Sequence, residues 1–222
     1  MRKGSDFVRE TGYKQIAYDH IKKQIVGGAL LPGDVISEKE LISVLGFSRT
    51  PIREAIQRLA EEGLLMVMPS RGTIVSHISV SDIGKIYEAR KLIEPYIVRL
   101  AADYVERETL LEFRRLFEAQ NGPFGAEQDW DSEFHLYLGK CSQNRFFQKT
   151  LQDLMTQSMR IRMLSSEKKA QRMQSSKEEH LAIIDALLEG DKDKAEKEVL
   201  NHLLQSEEGY KDIYPNQAYF SL

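Results

Sequence analysis

Four side chains in the second half of the chain, Asp131, His135, His180 and His202, have the types and spacing to hold a divalent metal ion. Asp131 and His135 stand four residues apart, so a helix presents them on one face about one turn apart, flanking the apolar stripe Trp130, Phe134, Tyr137, Leu138 and Cys141. His180 is in line with Ile184 and Leu187, and His202 with Ala195 and Val199, so both fall on apolar faces. Neutral imidazoles joined by a carboxylate suit a borderline ion, zinc or nickel, and helical bundle cores host such sites. Taken singly, each reads as a core histidine bonded to a carbonyl. As a set, three imidazoles and a carboxylate buried without a shared partner would be costly. Arg90 interrupts the stripe Ile83, Ile86, Tyr87, Ile93, Ile97 and Leu100, and an inward guanidinium demands an anion. Glu94, four residues on, is one candidate. The other is the carboxylate of a small organic acid, held by Arg90 and by an open position on the metal. Arg162, near the stripe Phe147, Leu151, Met155 and Ser158, is a second candidate anion contact.

A different chemistry lies in the run Ser48 to Leu59, SRTPIREAIQRL. Ser48 or Thr50 can cap a helix start, and Pro51 in the first turn loses no intrahelical bond. Ile52, Ala55, Ile56, Leu59 and Ala60 make one apolar stripe and leave Arg49, Thr50, Arg53 and Gln57 beside it. A groove-bound helix touches base edges from such positions, and arginine there can bridge O6 and N7 of guanine. An amphipathic surface helix with solvated arginines shows the same pattern, so the neighbouring segments decide.

Upstream, Ile16, Ala17, Ile21 and Ile25 keep helical spacing up to Gly27-Gly28, and Pro32-Gly33 marks a turn. Ser37 and Glu40 have capping-box spacing ahead of a short helix with Leu41, Ile42 and Leu45, which stops at Gly46. That is helix-turn-helix spacing. Downstream of Gly63, Leu64 to Met68 and Thr73 to His77 are β-prone runs joined by Pro69-Ser70-Arg71-Gly72. The hairpin makes the unit a winged helix and puts Arg71 and Gly72 where a wing reaches phosphates or a minor groove. A hairpin tip is equally a place for an idle arginine.

From Ser81 onward the pattern is helical only, in segments near 81–104, 107–120, 128–141, 144–166, 169–189 and 192–208. The expected fold is therefore mainly α: a winged helix-turn-helix over 1–78, an all-helical bundle of six or seven helices over 79–208, and a tail over 209–222. The 222 residues suffice for two modest domains with real cores. Residues 1–77 hold 11 Lys and Arg against 9 Asp and Glu, and the remainder 20 against 25. This leaves room for a local basic face but argues against a sequence-blind, histone-like binder. No apolar run approaches the ~20 residues of a membrane span, and the Met-Arg-Lys-Gly start lacks the apolar core of a signal peptide. The single cysteine, Cys141, excludes an internal disulfide and fits a reducing, cytoplasmic setting.

Residues Ala29 to Gly33, Ser37 to Leu41, Leu45 to Leu59, Glu62 to Leu64 and Arg71-Gly72 resemble the N-terminal domain of the GntR family of bacterial transcription regulators. The resemblance implies DNA contact by Ser48, Arg49, Thr50 and Arg53, supported by Lys39, Arg71 and Gly72. Residues about 82–208 resemble the FCD domain of the FadR-like branch, where an Asp-x-x-x-His and two later histidines surround a metal. Asp131, His135, His180 and His202 match those positions. The combined expectation is a homodimer that reads a pseudopalindromic operator in double-stranded DNA and responds to a small organic acid, as a repressor released by its effector. A metal-dependent hydrolase with an accessory DNA-binding-like domain is the alternative, although Glu133 points away from Asp131 and His135 and leaves it without a clear general base. A third view makes the metal a staple of the bundle.

Overall fold

Apolar spacing in α1 (Gly4–Val26), α2 (Glu38–Leu45) and α3 (Arg49–Glu61) closes one small core beneath a sheet of β1 (Val35–Ile36), β2 (Leu65–Met68) and β3 (Gly72–Val75). The structure, a computed structural model, describes residues 4–69, 72–119, 129–164 and 169–213. The chain divides into two units, Met1–His77 and Ile78–Leu222.

In the first unit Ile52, Ala55, Ile56 and Leu59 of α3 are buried with Ala17, Ile21 and Ile25 of α1, Leu41 of α2, and Leu64 and Val75. Gly46 ends α2 in the left-handed region at φ 69°, and its N–H donates to the carbonyl of Ile42. A side chain at that position would be strained, and the reversal there lets α3 start at Arg49. The sheet runs β1-β3-β2, antiparallel throughout, with Val35 opposite Ile74 and Leu65 opposite Val75. β1 has two residues, too few to show alternation in sequence. The Tyr18 hydroxyl donates to Glu62 at 2.7 Å, and Lys22 Nζ does so at 3.0 Å, pinning α1 to the end of α3. Ile16, expected on the buried stripe of α1, is half exposed, and Tyr18 is buried instead. Ser37 Oγ accepts from Glu40 N at 3.2 Å as expected, but the reciprocal box closes elsewhere, between Ser79 and Asp82 at the start of the next helix.

The second unit consists, among the described residues, of α4 (Val80–Ala101), α5 (Arg107–Ala119), α6 (Trp130–Cys141), α7 (Arg145–Leu164), α8 (Lys169–Glu189) and α9 (Lys192–Ile213). α4 packs along α9, α9 along α8, and α6 along α7. Two features correct the sequence expectation. α9 runs past residue 208 to Ile213, and Tyr210 is buried with its ring stacked 6.3 Å from Tyr87, so the expected tail begins inside the bundle. On α6 the buried face carries Asp131, Ser132, Phe134, His135 and Leu138, while Trp130, Tyr137 and Cys141 are only half-buried. Asp131 and His135 thus occupy the centre of the buried face and not its flank. No helix of the described residues is long and apolar enough to cross a membrane.

Leu59 is fully buried where α3 meets α1. Leu59→Ala is expected to destabilise the first unit by about 2–5 kcal/mol, read from denaturant unfolding of the full chain. A change below ~1 kcal/mol would show that α3 is not propped on this core.

Candidate metal centre and nucleic-acid interface

α6 supplies Asp131 and His135, α8 supplies His180, and α9 supplies His202, all four buried. One candidate ligand atom from each lies within 4.8 Å of the other three. Phe117 of α5 stacks on His180 with ring centroids 4.5 Å apart, giving the cluster an apolar wall.

Each imidazole is fixed from behind. His135 Nδ1 lies 2.6 Å from Glu94 Oε2, His180 Nδ1 2.6 Å from the Ser176 carbonyl, and His202 Nδ1 2.8 Å from Glu179 Oε2. Carboxylates and carbonyls only accept, so each Nδ1 donates, and a neutral ring then keeps its lone pair on Nε2. The Nε2 atoms of His135 and His180 are buried without a hydrogen-bond partner. Buried polar atoms without partners are rare in folded proteins, and two aimed into one cluster with a carboxylate are what a metal ion would satisfy.

The protonation states agree. Burial drives His180 down to about 3, against the opposing charge of Asp131. Burial, reinforced by His180 and His135, holds His202 well below the usual histidine range. Burial works against the Asp131 carboxylate, but Arg162 and then His180 hold it well below the usual carboxylate range. Two neutral imidazoles and an ionised carboxylate are the forms that bind metal near neutral pH. The residues present fit the group.

The two arginines expected at an effector are both engaged. Arg90 Nε lies 2.5 Å from Glu94 Oε1, and its Nη1 donates to Ser158 Oγ at 3.2 Å. The intrahelical partner, one of the two left open by the sequence, is therefore in place. Burial raises the Glu94 carboxyl, but Arg90 and then His135 outweigh it and bring it down to about 2. Arg162 Nη1 faces Asp131 Oδ1 at 2.7 Å, and its Nη2 reaches Asp129 at 2.5 Å and Ser132 at 2.6 Å. Glu179, Arg172, Asp129 and Ser176 escaped the sequence reading. Arg172 and Glu179 are seven apart on α8, two turns along one face, and Asp129 with Ser132 has capping spacing. Both signals were present.

In the first unit Arg49, Thr50, Arg53 and Gln57 are exposed on the side of α3 opposite its buried stripe, and Lys39 is exposed in the first turn of α2. Ser48 is the N-cap of α3 but its hydroxyl makes no cap bond, and the first turn carries no acidic residue. A first turn with no acidic residue of its own suits an incoming phosphate. Arg53 Nε bonds both oxygens of Glu38 at 3.1 and 3.0 Å. Gly72 is exposed and opens β3 at φ 83°, whereas Arg71 lies outside the described residues.

Residues 13–75 match the family model of the gntR bacterial regulatory proteins, and residues 85–205, more than half of the chain, match that of the FCD domain. The chain belongs to the GntR family. It is 28% identical over 213 residues to the HTH-type transcriptional repressor RspR of Escherichia coli (strain K12), with 93% of each chain covered. It is 32% identical over 177 residues to the Nta operon transcriptional regulator of Aminobacter aminovorans, with 78% of this chain and 82% of that one covered. Its fold is that of E. coli McbR/YncC, with a TM-score of 0.79 at 22% identity over 91% of this chain and 98% of that one. This GntR-family protein is accordingly a DNA-binding transcription regulator and not an enzyme, and the hydrolase alternative falls with the family. Glu133 is moreover exposed, outside the cluster that a general base would have to face.

In this regulator His135→Ala together with His202→Ala is expected to abolish retention of zinc or nickel after dialysis, by elemental analysis, with helical circular dichroism largely kept. Full occupancy in that variant would show that the ligands are misassigned.

Proposed function

We propose that this regulator is a homodimeric repressor of the bacterial cytoplasm whose DNA affinity is set by a small organic acid bound at a divalent metal in the helical unit. The convergence of Asp131, His135, His180 and His202, with each imidazole held through Nδ1, carries this reading. A divalent ion there would supply a Lewis-acidic charge for a carboxylate oxygen. The charges around the ligands favour an anion. Arg90, Arg162 and Arg172 face Glu94, Asp129, Asp131 and Glu179, three positive against four negative. Adding a divalent ion leaves one positive charge in excess, which a single carboxylate neutralises. Arg162 touches the ligand Asp131 directly, whereas Arg90 is linked to the ligand His135 through Glu94.

One observation favours a second reading. Four protein donors already complete a tetrahedral zinc shell, the arrangement of structural sites. Sensing by direct coordination therefore requires an ion that takes a fifth ligand, which nickel does readily and zinc can do. Chelation that lowers the melting temperature while effector affinity stays unchanged would assign the metal to stapling alone. Loss of effector affinity on chelation supports sensing.

For DNA, the proposed contacts are Arg49, Thr50 and Arg53 to base edges, with Ser48, Lys39, Arg71 and Gly72 toward the backbone. Two-fold symmetry of the dimer would match a pseudopalindromic operator. The effector acts only if it prefers one arrangement of the DNA-binding units over another. RspR carries the word repressor in its name, which supports the sign proposed here.

Arg53→Ala is expected to weaken operator binding by roughly 1–3 kcal/mol and to blur sequence preference, measured by titration of operator and scrambled duplexes. Equal affinities for the two proteins would sink this docking. Arg90→Ala is expected to weaken effector binding more than operator binding, and equal losses would assign Arg90 to structure alone.

A further inference from the structure

Behind the four candidate ligands stand two further sets of side chains of the same composition, arginine, carboxylate and serine, one buried and one half-buried. Arg90 of α4 holds Glu94 at 2.5 Å and Ser158 at 3.2 Å, and the far oxygen of Glu94 meets His135 Nδ1 at 2.6 Å. Arg172 of α8 grips both oxygens of Glu179 at 2.8 and 2.7 Å and Ser206 at 2.6 Å, and Glu179 meets His202 Nδ1 at 2.8 Å. Packing alone does not account for Arg90 and Glu94, because a buried ion pair stabilises a core no better than apolar side chains of similar volume. The common feature of the two sets is that each ends on the rear nitrogen of a histidine whose front nitrogen faces the cluster.

We infer that Glu94 and Glu179, each anchored by its arginine, are positioning residues that fix the rotation and tautomer of His135 and His202, so that Nε2 presents a lone pair to a divalent metal ion. Arg90 then serves the metal by way of Glu94 and His135 before it serves any effector. Without its carboxylate an imidazole can exchange tautomers and present an N–H to the cluster, where it repels a cation. The inference rests on the metal reading above, and it assigns work to two carboxylates and two arginines that no ligand set requires.

The test uses the full-length protein with Zn2+ or Co2+ as the only added ligand. Glu179→Gln and Glu94→Gln are expected to weaken Co2+ and Zn2+ affinity about 10–100-fold in chelator competition, and to change the ligand-field absorption of bound Co2+, with helical content unchanged. Glu133→Gln, at an exposed position of α6, should leave both readouts as they are. In the metal-free protein, histidine 15N shifts should report the Nδ1–H tautomer at His202 and a mixture in Glu179→Gln. If Glu94→Gln strands the Arg90 charge and fails to fold, Arg90→Met combined with Glu94→Gln removes both charges, and the same loss of affinity is expected. Folded variants that bind metal within twofold of wild type, or an unchanged His202 tautomer in Glu179→Gln, would overturn the inference. Wild-type protein that takes up neither ion would overturn the metal reading together with this one. Tight wild-type binding matched by the variants would overturn only the role of the two carboxylates.

Discussion

Charge removed from water has to be neutralised inside, and the second unit is organised around that requirement. Arg90, Glu94, Asp131, Arg162, His135, His180 and His202 are each at most 4% exposed. An ionised group that far from solvent is tolerated only with partners at short range. The partners arrive from α4, α6, α7, α8 and α9, so the network knits five helices at one level of the bundle. Apolar contacts such as Phe117, Phe134 and Leu138 close the remaining space. Geometry at the cluster and assembly of the bundle are consequently one problem, solved by the same contacts.

The first unit answers the opposite requirement. There the charges stay in water, and the apolar stripe of α3 does the anchoring while Arg49 and Arg53 remain exposed, Arg53 against Glu38. Ile52, Ala55, Ile56 and Leu59 hold the helix from behind against α1 and α2. The Tyr18, Lys22 and Glu62 contacts fix its far end, so the exposed first turns project from a rigid body. Rigid presentation matters because base recognition depends on placing donors within a few tenths of an ångström.

Much of this was legible because helical periodicity is a strong signal over long segments. The stripe of α3, the stop at Gly46 and the inward positions of His180 and His202 all follow from spacing. What sequence could not show was rotation about a helix axis and long-range pairing. Asp131 and His135 stand at the centre of the buried face of α6 because Arg162 and Glu94, distant in sequence, meet them there. Glu179 looks solvated, and its role appears only when α9 brings His202 alongside. β1 is too short to announce itself, and Tyr210 belongs to the core because α9 outlasts the point where its apolar spacing fades.

The contact between Arg53 and Glu38 bears on how an exposed guanidinium is held on the face of α3. The pair is largely exposed and worth about 0–1 kcal/mol, so parting it delays nothing. It gives the Arg53 guanidinium a partner in the DNA-free protein. If Arg53 reads DNA as proposed, a phosphate or a base edge replaces Glu38 at the same small cost, and the acid serves to hold the guanidinium between encounters.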